Sequence, residues 1–294
     1  MRIANHHAHT RFSDGVGEPE DYVQAALSAG VAIYGFSDHA PFPEDDNFGS
    51  FDFNDLEAYV SITDALRQKY AGQIELYRSL EVDYIPGEMD VNRPHLQAAK
   101  MDYTLGAVHF IGRLADGERW SFQRQDPIFQ RGVDEIFGGS VQKTVETYYA
   151  LIREMIDTHP TDIVAHVDRI LKRNQNDRFW DRTAKWYRNA VMETLEAIAG
   201  AGLIMEVNTR GLYRGDNPTT YPDPWALTQA LRLDIPVHLS SDAHAKDQIV
   251  GNFTEAAEVL LDVGYESVRI FSQGKWEDVV LEVPKFTEEA LPLG

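Results

Sequence analysis

Histidine and carboxylate side chains recur at short spacings in this chain. His7 and His9 form a His-x-His pair near its start, and Asp242 and His244 form an Asp-x-His pair near its end. Side chains alternate along an extended strand, so residues two apart point the same way and can chelate one cation. Cysteine is absent, which leaves His, Asp and Glu as the strong metal ligands. Either pair alone is weak evidence, because ordinary polar loop residues produce the same spacing.

Other histidine and glutamate residues end most of the short apolar runs between these two pairs. In a parallel α/β barrel the carboxyl ends of all strands meet at one mouth, so residues distant in sequence converge there. If these residues had no common function, most histidines of the chain would have to lie at predicted strand ends by chance. We therefore predict a metal site of nitrogen and oxygen ligands, to which the intervening runs contribute His39 in SDHAPF, Glu81 in LEVDYIPG, His109 in GAVHF and His166 in VAHVD.

The elements that would position these residues follow a regular alternation. Short β-prone runs alternate with longer amphipathic segments, which is typical of repeated βα units around a parallel sheet. We predict about seven units in a single domain spanning 1–294, followed by a strand pair at 267–283. The predicted strands are 2–6, 32–37, 74–82, 103–108, 162–165, 203–207 and 236–239, and the predicted helices are 19–28, 54–70, 89–99, 141–158, 181–201, 224–231 and 254–263.

Long stretches without periodicity follow four of the predicted strands. They cover 41–53, 111–140, 169–180 and 209–223. Loops at the carboxyl ends of parallel strands build the active site of such folds. We predict that these loops form a lid or an enclosure for a substrate.

Composition excludes several classes of protein. Hydrophobic residues make up 43% and charged residues 25% of the 294 residues, as in a globular protein. The formal charge of −20 argues against nucleic acid as a main partner, because such a surface repels a polyanion. No apolar run approaches the roughly 18 residues that span a bilayer, and the first residues lack a signal-peptide pattern. A cytoplasmic location is expected, and the oligomeric state is left open.

These motifs carry a family resemblance across nearly the whole chain. The segments HHAHT with Asp14, SDH, LEVDYIPG, GAVHF, VAHVD and SSDAH, in this order, resemble those of the PHP (polymerase and histidinol phosphatase) superfamily. SDHAPFP and LEVDYIPG are most similar to the bacterial histidinol-phosphate phosphatases. The resemblance implies a distorted (β/α)7 TIM-like barrel with a trinuclear site of zinc, iron or manganese.

The resemblance also implies which residues bind each ion. Asn5 stands where many members carry an acid, and it is expected to orient His7 from behind the ligands. Among the ligands, Glu81, Asp242 and His244 are expected to take part in catalysis. The implied sets are His7, His9, Glu81 and Asp242 for the first ion, Glu81, His109 and His166 for the second, and Asp14, His39 and His244 for the third.

The charges of such a site favour a phosphate ester. Three divalent ions would contribute six positive charges, against three negative ones from Asp14, Glu81 and Asp242. A metal-bound water has its pKa lowered from about 15.7 toward about 7, which would supply hydroxide to attack phosphorus. The resemblance to the bacterial histidinol-phosphate phosphatases implies hydrolysis of L-histidinol phosphate in histidine biosynthesis. The alternatives are another PHP phosphoesterase, acting on nucleotides or other small phosphate esters, and a metal-binding protein without turnover.

Substrate contacts are expected from the long loops. Arginine suits bidentate contact with phosphate, and Arg169 and Arg214 follow the fifth and sixth predicted strands. Phe42 and Asp45, in the loop after the second strand, are predicted to contact an imidazole and an ammonium group.

Overall fold

Short apolar runs form the strands of the structure, a computed structural model that describes residues 2–42, 49–50 and 52–286. The three strands at the middle of the larger sheet have the sequences LGA, IV and IMEVN, and every one of their residues is buried. Only Glu206 and Asn208 among them are polar. Within the described residues the strands are β1 (Ala4–Asn5), β2 (Ile33–Phe36), β3 (Glu75–Arg78), β4 (Glu81–Asp83), β5 (Leu105–Ala107), β6 (Phe110–Arg113), β7 (Arg119–Ser121), β8 (Ile163–Val164), β9 (Ile204–Asn208), β10 (Val237–Ser240), β11 (Ser267–Ser272) and β12 (Lys275–Val280).

Helices follow most of these strands and pack on the outside of the sheets. α1 begins at Pro19 after a capping box between Glu18 and Asp21, and α5 begins after Ser140, whose side chain accepts a hydrogen bond from the backbone of Lys143. None of the described helices is long and apolar enough to cross a membrane. The helices are α1 (Pro19–Ser28), α2 (Leu56–Lys69), α3 (Pro94–Ala98), α4 (Asp126–Phe137), α5 (Val141–Thr158), α6 (Lys185–Ala201), α7 (Arg210–Arg214), α8 (Pro224–Arg232) and α9 (Phe253–Val263).

Parallel strands form two sheets, in the orders β1-β2-β3 and β10-β9-β8-β5-β4. Isolated parallel bridges link Ala8 to Ala243 and His39 to Glu81, so the segment after β1 lies beside the segment after β10, and the segment after β2 lies beside β4. The strand predicted at 74–82 is divided into β3 and β4. At the break, Ser79 N still donates to Phe36 O of β2, the partner strand of β3. From Glu81 onward the chain pairs with β5 instead. The predicted α/β class and parallel pairing are confirmed.

Two predicted segments differ from the structure. The helix predicted at 89–99 is reduced to α3, because Met89 pairs with Ile85 and a turn capped by Asp90 delays the helix until Pro94. The stretch 111–140, predicted to be irregular, contains the hairpin β6–β7 and helix α4. We call 110–140 the cap segment.

The hairpin β11–β12 confirms the predicted strand pair and is joined to the strands by two buried histidines. Phe271 N donates to His6 Nε2 at 2.9 Å, and His238 Nδ1 donates to Arg269 O at 2.8 Å. The two imidazole rings stack at 4.6 Å. His6 and His238 therefore anchor the hairpin and do not face the cleft.

Close packing fixes the cap segment on itself. The indole of Trp120 lies over Gly132 of α4, so that a Cβ on Gly132 would be 1.9 Å from Trp120 Cε2. Trp120 Nε1 donates to Ile128 O at 2.9 Å. Only glycine allows this approach of hairpin and helix.

We predict that Gly132→Ala destabilises the protein by about 1–3 kcal/mol, because the added methyl group displaces Trp120. The matched control is Gly200→Ala in α6, where a Cβ would meet nothing within 4 Å; helix propensity there favours alanine by up to about 1 kcal/mol. Denaturant unfolding measures both. Equal stability of the two variants would contradict the packing of Trp120 on α4.

Candidate metal and phosphate site

The candidate ligands gather in one cleft at the carboxyl ends of the parallel strands. His7 and His9 follow β1 and are fully buried at its floor, whereas the side chain of Asp14 is 39% exposed at its rim. His9 N donates to Ala243 O at 2.7 Å, which brings the first and last strand ends together. The cleft is lined by Asp14, His39, Glu81, His109, Gln123, Arg124, His166, Arg169, Lys172, Arg210, Asp242 and His244.

Four donor atoms form a compact set on the cleft floor. His9 Nε2 lies 3.1 Å from His7 Nε2, 3.2 Å from Asp242 Oδ1 and 3.5 Å from Glu81 Oε2. His7 Nε2 is 3.5 Å from Glu81 Oε2 and 3.8 Å from Asp242 Oδ1. Ligands about 2.1 Å from a shared tetrahedral ion are about 3.4 Å apart. The chemistry and spacing of these donors fit one divalent ion.

Glu81 directs its two oxygens to different neighbours. Oε2 faces the floor set and lies 3.0 Å from His39 Nδ1. Oε1 lies 2.7 Å from His166 Nε2 and 3.6 Å from His109 Nε2. One carboxylate can thus serve two adjacent ion positions.

A further group of potential ligands lies toward the rim. Asp14 Oδ1 is 3.0 Å from His244 Nε2 and 3.7 Å from both His39 Nε2 and His9 Nδ1. His39 also lies close to Glu81, so it stands between this group and the floor set. All nine residues that the resemblance implies as ligands lie in groups of at least three donors within 4.8 Å of one another, but the groups differ from the implied sets. Glu81 groups with His7 and His166, and His109 groups with His39 and Asp83.

Two carboxylates behind the ligands hold imidazole rings in place. Glu206 Oε1 lies 2.6 Å from His7 Nδ1, and Glu206 Oε2 accepts from His166 N at 2.7 Å. Asp83 Oδ1 accepts from His109 N at 3.1 Å and lies 2.9 Å from His109 Nδ1. Such contacts orient a ligating histidine and fix its tautomer. Sequence reasoning overlooked Asp83, although its position two residues after Glu81 in β4 would have been a usable signal.

Polar residues also shape the backbone around the ligands. Asn5 Oδ1 accepts from His7 N at 3.2 Å, while its amide donates to Ser241 Oγ at 2.8 Å, as expected for a residue that orients His7. Asp38, which sequence reasoning also overlooked, accepts from both Thr10 N and Ser13 Oγ and so orders the turn that leads to Asp14.

Two of the ligands have unusual backbone conformations. His166 and Asp242 have φ values of 24° and 53°, in the left-handed region that side chains other than glycine rarely adopt. Strained backbone of this kind concentrates at functional sites, where the surrounding structure enforces it.

Burial and mutual proximity shift the proton affinities of this cluster strongly. Burial opposes protonation of His7, yet Glu206, Asp242 and Glu81 raise its pKa well above the ordinary value. Burial likewise opposes protonation of His39, but Glu81 and Asp14 raise its pKa to about 10. Burial and then the neighbouring His244 and His39 lower the pKa of His9 to about 3. A divalent ion that enters this cluster takes the place of protons.

Positive side chains line the same cleft as the candidate ligands. Arg169 is 4% exposed, and Lys172 lies 3.6 Å from Asp216. Arg210 Nη1 donates to Asp242 O at 2.8 Å and also contacts His244 Nδ1. Burial, followed by the charge of Arg169, lowers the pKa of Lys172 to about 8. We call Arg169, Lys172 and Arg210 the cationic wall.

The predicted substrate residues are placed differently from one another. Arg169 lines the cleft, whereas Arg214 is exposed at the end of α7 and lies outside the lining, which takes Arg210 instead. Phe42 is buried, with its ring 6.2 Å from Phe110 and 4.7 Å from Arg119 Cζ. It therefore packs against the cap segment and is not among the residues that line the cleft. Asp45 lies outside the described residues. Sequence reasoning did not find Gln123 and Arg124, because the cap segment has no strand-end pattern.

A cleft that combines buried nitrogen and oxygen ligands with a cationic wall, at the carboxyl ends of parallel strands, defines a metal-binding α/β protein suited to anionic ligands. The PHP domain matches residues 5–210, well over half of the chain. The chain therefore belongs to the PHP family.

Named relatives match most of the chain. A Deinococcus radiodurans protein named "Probable histidinol-phosphatase" is 29% identical over 268 residues, which are 90% of this chain and 95% of the relative. The Bacillus subtilis histidinol-phosphatase is 26% identical over 265 residues, covering 83% of this chain and 94% of the relative. A crystal structure of Lactococcus lactis histidinol phosphate phosphatase, complexed with zinc, L-histidinol and phosphate, has a TM-score of 0.69 at 19% identity and covers 94% of this chain and 99% of its own.

We predict that Glu206→Gln lowers metal affinity about 10–100-fold. Both oxygens of Glu206 accept hydrogen bonds, Oε1 also from Ser240 Oγ and Oε2 also from Asn208 Nδ2. A glutamine would replace one of these oxygens with an NH2 group, which cannot accept a hydrogen bond and would face a donor. Elemental analysis after equilibrium dialysis against zinc at graded concentrations measures the loss.

The matched control for this prediction is Glu196→Gln on the exposed surface of α6. Its metal content should equal that of the unaltered protein. Unchanged affinity in Glu206→Gln, with the control also unchanged, would show that Glu206 does not position the ligands.

We predict that binding of inorganic phosphate to the metal-loaded protein weakens as the pH rises through about 8. The pKa of Lys172 is lowered to about 8 by burial and by Arg169, Arg173 and Arg210, against the opposing effect of Asp216. The charged form is present below this pKa and is lost above it, so the cationic wall loses one charge. Lys172→Arg keeps that charge and should flatten this part of the curve.

Isothermal titration calorimetry between pH 6.5 and about 9.5 gives both curves. Above pH 8, we expect the unaltered protein to lose about three- to tenfold more phosphate affinity than Lys172→Arg. Superimposable curves would mean that Lys172 does not contact the anion.

Proposed function

We propose that this protein is a metal-dependent histidinol-phosphatase, which hydrolyses L-histidinol phosphate to L-histidinol and phosphate. The observation that carries the proposal is the position of buried Arg169 in the same cleft as the metal-ligand cluster. Among the described residues, no carboxylate lies within ion-pair distance of Arg169. A buried positive charge without a neighbouring negative charge is costly, so the guanidinium of Arg169 favours binding of an anion.

The relatives support the choice of substrate. The D. radiodurans and B. subtilis proteins, which carry histidinol-phosphatase names, align with most of this chain. The L. lactis phosphatase of similar fold is complexed with zinc, L-histidinol and phosphate. Together with the geometry of the cleft, these names favour histidinol phosphate over other phosphate esters.

The ligand groups support three divalent ions, of zinc, iron or manganese. The floor set of His7, His9, Glu81 and Asp242 would hold the first ion. Glu81 would bridge to a second ion through Oε1, since its two oxygens already face separate groups. The second ion would be completed by His109 and His166, whose Nε2 atoms lie 3.6 and 2.7 Å from Glu81 Oε1. The third would be held by Asp14, His39 and His244, which form one donor group with His9.

Bound divalent ions would activate a water molecule as the nucleophile and neutralise charge on the phosphoryl oxygens. The cationic wall would bind and orient the phosphate beside these ions, with Arg169 and Arg210 offering planar N–H groups suited to its oxygens. Arg210 takes the role that the sequence suggested for Arg214. Asp45 is the proposed partner of the substrate ammonium group, while Phe42 packs against Phe110 and Arg119.

The parallel strands support a distorted (β/α)7 barrel as the complete architecture. The bridges Ala8–Ala243 and His39–Glu81 link the two sheets at both junctions, as closure requires. We place the enzyme in the cytoplasm, with a small phosphate ester as its partner and no nucleic acid.

A phosphate-release panel tests the function. We expect kcat/KM for L-histidinol phosphate to exceed that for nucleoside monophosphates, sugar phosphates and p-nitrophenyl phosphate by at least about 100-fold, because a site that hydrogen-bonds a polar substrate rejects analogues lacking its groups. His166→Gln should remove most of this activity. The matched control His159→Gln should keep it, since His159 lies beside Asp90 and Thr158, outside the cleft lining.

Equal turnover of p-nitrophenyl phosphate and histidinol phosphate would overturn the biosynthetic assignment in favour of a general phosphoesterase. Loss of activity in His159→Gln with an intact fold would overturn the ligand assignment.

A further inference from the structure

The guanidinium of Arg169 is held from two sides before any ligand arrives. Its Nε donates to Gln123 Oε1 at 3.1 Å, and its Cζ lies 5.0 Å from the ring centre of Tyr221. Its Nη1 is buried and has no hydrogen-bond partner among the described residues. One edge of the group is thus occupied by the protein, while Nη1 keeps its hydrogen-bonding capacity.

Tyr221 forms a fixed platform under this group. Its backbone exchanges two hydrogen bonds with Asn208, at 2.8 and 2.9 Å. Its ring lies against Gly211, where a Cβ would come within 2.8 Å of Tyr221 Cε2. Because Asn208 Nδ2 also donates to Asp242 Oδ2 at 3.2 Å, the platform is tied to the metal-ligand cluster.

Gln123 comes from a different part of the chain, the cap segment. It follows β7, its backbone N–H donates to Ser121 Oγ at 3.2 Å, and it lines the cleft beside Arg124. An amide oxygen accepts a hydrogen bond but carries no net charge, so it can aim Arg169 without neutralising it. A carboxylate at this position would compete with an incoming anion for the same guanidinium.

We propose that Gln123 is a positioning residue for the phosphate group of the substrate: it acts through Arg169, by fixing the Nε edge so that the Nη edge is presented to the anion. The inference rests on the proposed function in that the anion is the phosphate of the ester. It assigns to the cap segment a role in anion binding, separate from the metal-ligand cluster.

A double-variant cycle tests this role, with inorganic phosphate as the probe and the metal-loaded protein in the calorimeter. Gln123→Ala and Arg169→Ala should each weaken phosphate binding, by about tenfold for the first variant. The double variant should bind no more weakly than Arg169→Ala alone, because Gln123 acts only through Arg169. Gln123→Glu should weaken binding further than Gln123→Ala, since it adds a competing charge. Metal content should stay the same in all variants.

The matched control is Gln130→Ala in α4, whose side chain contacts Asp134 on the exposed surface. It should bind phosphate like the unaltered protein. Additive losses in the double variant would overturn the proposal and make Gln123 a direct ligand of the anion. Unaltered affinity in Gln123→Ala would also overturn it.

Kinetics with L-histidinol phosphate separate this inference from the proposed function. Gln123→Ala should raise KM with kcat changed by less than about threefold. If histidinol phosphate is not hydrolysed but the phosphate cycle is non-additive, the positioning role stands and the substrate assignment fails. If histidinol phosphate is hydrolysed but the cycle is additive, only the positioning role fails.

Discussion

The carboxylate of Glu206 is the interaction on which the arrangement of the cleft floor depends. It is fully buried, and its two oxygens are bound by groups from the ends of β1, β8 and β10 as well as by Asn208 of its own strand. Burial opposes its ionisation, but the charge and hydrogen bond of His7 lower its pKa to about 2. A buried ion is tolerated only when donors surround it, so the strands must end in register around this residue. The positions of His7 and His166 follow from that requirement.

The ligands and the anion-binding groups are supplied by different kinds of element. Most candidate ligands follow the carboxyl ends of parallel strands, whereas Glu81 is the first residue of β4 and Asp14 lies in the turn after β1. Cationic residues occupy the short helical turns and loops beyond those ends, where Arg169 and Arg210 are adjusted by contacts with neighbouring loops. In a chain with a net charge of −20, the grouping of these cations in the same cleft as the candidate ligands is the strongest electrostatic indication of an anionic ligand.

Sequence reasoning was most accurate where local chemistry determines structure. The bounds of α1 and α5 were predicted without error, because Pro19 and Ser140 mark the beginnings of these helices. The convergence of the candidate ligands in one cleft was also predictable, since a period of two and a parallel sheet bring strand-end residues together. Their role as metal ligands stays a prediction. Lys172 and Arg210 were not predictable as one wall with Arg169, because their convergence depends on how the segments after β8 and β9 pack. The helix predicted at 89–99 was wrong in extent because an amphipathic pattern does not reveal a competing turn at Asp90.

The cap segment joins these two levels of organisation. Its Gly132–Trp120 packing depends on a glycine within a helix, and its Asp126 pairs with Arg173 and Arg178 of the loop that follows β8. The cap is therefore fixed to the same loop that carries Arg169. None of these contacts involves a candidate metal ligand. The cap segment can therefore change in sequence and alter the cationic wall while the floor set keeps its geometry. A family that retains its metal cluster but varies in substrate is the expected outcome of such a division, because selection on the cap does not disturb the buried charges around Glu206.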